Sequence, residues 1–273
     1  MKRGLIAWDR TELPPSVFET RLNGVREALG DLPALLVYTD MWRSNQARFL
    51  TNFMPYWNRS LVVVPRDGAP VLLCGLSPRV YPWIKSVTVF EDVRPAGKLV
   101  AALLQLCSER AWTKLGVLDL PRLPNEIQVP LELHDVSINI VDSTELTMRR
   151  RAVQLARQIL STELATGDRE LPGRLELAFR RAGAEDLILR IDKGSVAVAM
   201  EYRGHWVKIA RPRTSETAMR DRFNAALASG EGLIENLSGP YPYEMGPGEI
   251  FALHVSGDHG LLYGDTCWQG APL

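Results

Sequence analysis

The stretch Met245-Gly-Pro-Gly-Glu-Ile-Phe-Ala-Leu-His254, continuing through Ser256-Gly-Asp-His-Gly260 into Tyr263-Gly-Asp-Thr-Cys-Trp268, decides how the chain is read. Two apolar runs flank a segment with the composition of a turn, so the stretch predicts two successive strands. Four candidate proton-transfer side chains ride on it: His254 within the first strand, Asp258 and His259 in the turn, and Asp265 in the second strand. Two imidazoles near two carboxylates can move protons at neutral pH, because His titrates there. Each residue also has a structural use: His254 as a hydrogen-bonded core residue, Asp258 and His259 as ordinary turn residues, Asp265 as a brace for its strand.

Outside this stretch, 273 residues with 46% hydrophobic content can bury a sizeable core in one large or two modest domains. Thirty-two basic side chains balance thirty-two acidic ones, so no net field favours nucleic acid or an anionic membrane. The segment Met1-Lys-Arg-Gly-Leu-Ile-Ala-Trp-Asp9 is polar too early for a secretory signal. No apolar run approaches the ~20 residues of a membrane span, and a cytoplasmic location is expected. Cys74, Cys107 and Cys267 are odd in number, far apart and set in apolar sequence, which predicts reduced packing residues and neither disulfides nor a zinc site.

In the first half, Ser16-Val-Phe-Glu19 forms a capping box, and Phe18, Leu22, Val25 and Leu29 follow at helical spacing. Ala34-Leu-Leu-Val-Tyr38 reads as a buried strand. Leu61-Val-Val-Val64 and Val71-Leu-Leu-Cys74 flank Arg66-Asp-Gly68, a hairpin signal. Further strands are predicted at 87–90, 115–118 and 138–141, with a helix at 99–111. This alternation predicts an α/β layer domain over residues 1–142. In the second half, residues 144–165 carry Leu146, Val153, Leu155, Ile159 and Leu160 in the pattern of a long amphipathic helix, and Ser195-Val-Ala-Val-Ala-Met-Glu-Tyr202 alternates in part. The glycines at 230, 232, 239 and 246 form no phosphate-binding pattern.

Three segments together resemble the creatinase, prolidase and aminopeptidase P family, which has the pita-bread fold. Ala47-Arg-Phe-Leu-Thr-Asn-Phe53, ahead of the apolar hairpin, is similar to the segment linking the first two strands of that family's N-terminal domain. Gly167-Asp-Arg-Glu-Leu171 resembles its "G-x-T-E-x-E-L" turn, and Arg203-Gly-His-Trp-Val-Lys-Ile-Ala-Arg211 its central hairpin. The resemblance implies a creatinase-like α/β domain followed by a shortened α+β pita-bread-like domain over 143–273. It also implies a homodimer built partly by the N-terminal domain, whose Trp42, Arg43, Arg48, Tyr56, Trp57 and Arg59 would then line a neighbouring site or serve as dimer contacts.

The metal-dependent relatives use two Asp, one His and two Glu to hold two divalent ions. By the resemblance, Ala197 stands near the first Asp position, Lys208 at the second, His254 at the first Glu and Gly264 at the second, while residues 214–244 contain no histidine. No metal and no cofactor is therefore expected. Creatinase hydrolyses a guanidino C–N bond on this fold without metal, but with the histidine that is absent here. The leading expectation is a metal-independent enzyme acting on a small amino-acid-like or amide-like substrate, with His254, His205, Asp265, His259 and Asp258 as catalytic candidates. Arg211, Lys208, Glu201, Tyr243 and Trp57 are the substrate-binding candidates, Tyr243 lying in the proline-rich Ser238-Gly-Pro-Tyr-Pro-Tyr243 loop. The alternative is a non-catalytic protein of the same fold that binds a peptide or protein partner.

Overall fold

The computed structural model describes residues 6–127, 129–138, 140, 142–167, 169–214, 216–239, 244–245 and 248–273. The chain forms two compact units, residues 6–140 and residues 141–273.

The first unit contains the helices α1 (Pro15–Ala28), α2 (Asn45–Thr51), α3 (Tyr81–Val87) and α4 (Leu99–Arg110). Its strands are β1 (Ala34–Thr39), β2 (Ser60–Pro65), β3 (Val71–Cys74), β4 (Asp92–Pro95), β5 (Lys114–Leu118) and β6 (Glu132–Val136). They build one mixed sheet in the order β4-β3-β2-β1-β5-β6. The Asp67-Gly68 hairpin forms as expected, with Val62 opposite Leu72. Every residue of β1 and β2 is buried, which matches their unbroken apolar runs.

Three local expectations give way. Ser16 caps nothing: α1 opens at Pro15, a residue favoured at the first helical position, and its N-cap Pro14 has no side-chain oxygen to accept a cap bond. Residues 87–90 are not a strand. Val87 ends α3, which buries it with Ile84, and the strand that pairs with β3 is Asp92–Pro95. The last strand is Glu132–Val136, parallel to β5, in place of the expected 138–141; Asn139 and Val141 lie outside the described residues. Polar Glu132, His134 and Asp135 concealed that strand from a reading of apolar runs.

The second unit opens with α5 (Ser143–Ala165), whose N-cap Asp142 accepts the Glu145 N–H at 2.7 Å, and α6 (Leu171–Arg181). Then come β7 (Asp186–Ile191), β8 (Ser195–Tyr202), β9 (His205–Pro212), α7 (Glu216–Ser229), β10 (Leu233–Asn236), β11 (Glu244–Met245), β12 (Ile250–Ser256), β13 (Leu262–Trp268) and β14 (Ala271–Pro272). The sheet runs β11-β10-β12-β13-β9-β8-β7, with β14 beside β13. α7 packs Met219 and Phe223 against Leu253, Val255 and Tyr263. Side chains alternate along a strand, so this contact fixes which sheet face is covered by α7. Among the described residues no helix is long and apolar enough to cross a membrane. All three cysteines are free and buried.

Candidate functional site

Strand register places the titratable residues. Ala197 lies opposite Ala210, Ala210 opposite Gly264, and Gly264 opposite His254, a row across four strands. In the adjoining row Ala199 faces Lys208, while Thr266 faces Ala252 and Ala252 faces Glu235. Between the rows' two halves, β13 and β9 pair only at Gly264 and Ala210. Beyond that point the Thr266 hydroxyl joins them, accepting the Lys208 N–H and donating to the Lys208 carbonyl, each at 3.0 Å.

By alternation His254, Lys208, Glu235 and Glu201 share the face turned away from α7. The Lys208 ammonium holds both carboxylate oxygens of Glu235, at 2.6 and 2.7 Å. His254 lies across Gly264: a Cβ at that position would stand 2.1 Å from the imidazole Cδ2, so only glycine leaves room for the ring. Burial first, and the Lys208 charge second, lower the His254 pKa from 6.5 to about 4. The imidazole is therefore neutral at pH 7, with one nitrogen donating and the other accepting. Glu201 is buried on this face, opposite Trp206.

Asp265 and Arg211 sit on the other face. Asp265 Oδ2 accepts from Arg211 Nη2 at 2.7 Å and from Arg157 of α5 at 2.9 Å. Arg211 also donates to the carbonyls of Gly264 and Ala210, at 2.7 and 2.9 Å, and its guanidinium lies 4.6 Å from the Tyr263 ring centroid. This carboxylate is occupied by two guanidiniums and separated from His254 by the sheet. Of the four candidates read from the terminal stretch, His254 and Asp265 thus face opposite sides of the sheet, because Leu253, not His254, is the residue opposite Asp265.

The other candidates disperse. His205 is buried at the start of β9, on the Arg211 side by alternation. Asp258 and His259 occupy an exposed 3-10 turn in which His259 takes φ 57°. Trp57 belongs to the first unit, where it is 73% exposed. Tyr243 lies outside the described residues. Sequence reading missed Glu235, Arg157 and Thr266. Glu235 lies in Leu233-Ile-Glu-Asn236, an apolar-polar step whose pairing with β12 supplies its meaning.

A pair of divalent ions requires several hard oxygen donors converging on one point. The face offers one imidazole, two alanines, a glycine and two carboxylates, of which Glu235 is already held by an ammonium and Glu201 lies buried opposite Trp206. Among the described residues no group of three His, Cys, Asp or Glu side chains is placed to hold an ion. The donor set does not fit the dinuclear centre of the metal-dependent relatives.

No protein-family model matches the chain, and no curated protein sequence does. Its fold does match solved structures. The prolidase from Pyrococcus horikoshii OT3 superposes with a TM-score of 0.63 at 12% identity, over 91% of this chain and 95% of that chain. The dipeptidase PepE from Mycobacterium ulcerans gives 0.57 at 12% identity over 92% of both. The N-terminal domain of FACT complex subunit SPT16 from Eremothecium gossypii gives 0.52 at 14% identity over 94% of this chain and 95% of that one. At such identities the structural likeness shows the fold alone: the creatinase-like, pita-bread architecture of prolidase, dipeptidase and aminopeptidase P structures.

Proposed function

From the premise of a pita-bread fold, we propose that the chain is a non-catalytic protein that binds a peptide or a peptide-like partner on the face bearing His254, Lys208 and Glu235. The observation that carries this reading is the Lys208–Glu235 ion pair, on a face where Ala197 and Gly264 stand at positions that the resemblance aligns with metal ligands, with Ala210 between them. An ammonium and a carboxylate bound to each other activate no water. They do offer a ligand carboxylate or ammonium a partner to exchange with, and the neutral His254 imidazole suits a peptide N–H or C=O. Similar structures titled prolidase and dipeptidase support a peptide as the ligand class, and one titled as a complex subunit supports a binding role on this fold.

Calorimetric titration with a panel of dipeptides and tripeptides, followed by mass spectrometry of each mixture, tests the proposal. Saturable binding weakened by Lys208→Met, with every peptide recovered intact, is the expected result. Hydrolysed peptide that disappears with His254→Ala would overturn it.

A second reading, a metal-independent hydrolase, is favoured by one observation: His254 is unprotonated at neutral pH beside an ammonium. In that reading His254 takes the proton of an attacking water while Lys208 stabilises the negative charge on the substrate carbonyl oxygen. Its weakness is basicity, since an imidazole with a pKa of about 4 is a poor proton acceptor at pH 7.

A further inference from the structure

The opposite side of the second unit carries a cavity of about 720 Å³ between α5, α7 and the ends of β9 and β13. Four guanidiniums line it, from Arg157, Arg211, Arg213 and Arg220, against two carboxylates, Asp265 and Glu216. In a chain whose charges cancel overall, that local excess of two positive charges inside a cleft concentrates anions.

Both carboxylates are already engaged by guanidiniums, and Arg213 also donates to the Asp192 carbonyl at 3.5 Å. Asp265 is almost wholly buried beneath Arg157 and Arg211, its side chain 4% exposed, and it offsets one of their two charges. Glu216 pairs with Arg220 at 2.5 Å at the rim, where both side chains are about half exposed. Arg220 is further engaged by the Tyr263 hydroxyl, which keeps its guanidinium at the cavity. Planar guanidiniums bind oxyanions through paired N–H donors, and a phosphate monoester presents three acceptor oxygens with up to two negative charges. The volume falls within the range of small-molecule sites.

We propose that this cavity is a binding site for a small phosphate monoester, held by Arg213 and Arg220 at the rim over a floor set by Arg157 and Arg211. It is independent of the peptide-binding proposal, because the two sites lie on opposite faces of one sheet and share no side chain.

The test uses the full chain at constant ionic strength, with glycerol 3-phosphate and inorganic phosphate as probes and chloride as the screening control. Calorimetry is expected to show one saturable site for the monoester. Arg213→Gln with Arg220→Gln should weaken it by about tenfold or more. Glu216→Gln, which frees Arg220 from its rim partner, should tighten it, an effect that a purely structural role for these residues would not produce. Preference for inorganic phosphate over the monoester would reduce the site to one for the free ion and overturn the monoester assignment. Absence of saturable binding, or equal affinity in the Arg213 and Arg220 variants, would overturn the site itself. Arg157 and Arg211 are left intact, since removing either uncovers Asp265.

Discussion

Replacing Lys208 by Met should change how His254 titrates, by an amount the structure bounds. In the native fold His254 protonates at about 4 in place of 6.5, through burial and then the Lys208 charge. That gap corresponds to roughly 3 kcal/mol favouring the neutral ring, a ceiling because the ring is partly solvated. The sign follows from proton counts. Between pH 6.5 and 4 the unfolded chain binds a proton at this position that the native chain does not, so stability is full above about 6.5 and falls as pH drops toward 4. Lys208→Met removes the repelling charge and leaves the Glu235 carboxylate without its counter-ion on the same face. Both changes favour imidazolium, and the His254 pKa should rise by at least about one unit, or about 1.4 kcal/mol. The double variant Lys208→Met, Glu235→Gln should recover only the smaller, Lys208 part of the shift, because burial persists. NMR titration of the imidazole resonances reads this directly: the chain has four histidines, and His254→Gln assigns the signal. A native His254 titrating near 6.5, or one unmoved by Lys208→Met, would refute the arrangement.

Three further outcomes follow from the same geometry. Gly264→Ala places a methyl 2.1 Å from the His254 ring, so the ring must leave its position, at a cost of about 1–3 kcal/mol in urea denaturation, with peptide affinity lost alongside. Asp265→Ala strands two guanidiniums and should cost about 3–5 kcal/mol, while Ala at exposed Asp258 should change stability by less than about 0.5 kcal/mol; equal effects would contradict the assignment of Asp265 to a structural ion pair. Burial, then Asp265, raises the Cys267 thiol to about 12, and burial raises those of Cys74 and Cys107. All three should resist iodoacetamide at pH 8 until the chain is unfolded, and rapid labelling of the native protein would count against this packing.

Much of the fold was legible because its signals are local. The Asp67-Gly68 turn between two apolar runs specifies a hairpin, and the long helix and the terminal strands follow from periodicity. The failures at 87–90 and 132–136 arose where apolar content misled: Val87 is apolar because a helix buries it, and Glu132–Val136 is a polar strand defined by its parallel neighbour. The candidate site was legible as a set of residues but not as a place. His254 and Asp265 lie on neighbouring strands, yet a register of one residue decides whether they meet or face apart. Register is fixed by pairing across the sheet, and no local pattern around either residue encodes it. Glu235 escaped for the same reason, since its importance comes from Lys208, twenty-seven positions away in sequence.

The face bearing His254 holds an ammonium–carboxylate pair and an imidazole in place of a donor set for two divalent ions. Titrating Mn²⁺ into the purified chain while following the His254 imidazole resonances tests this most directly, because a paramagnetic ion bound nearby broadens them. Expected are unbroadened His254 signals and no saturable uptake on this face. Two tightly bound ions per chain, with His254 signals lost at matching stoichiometry, would contradict it.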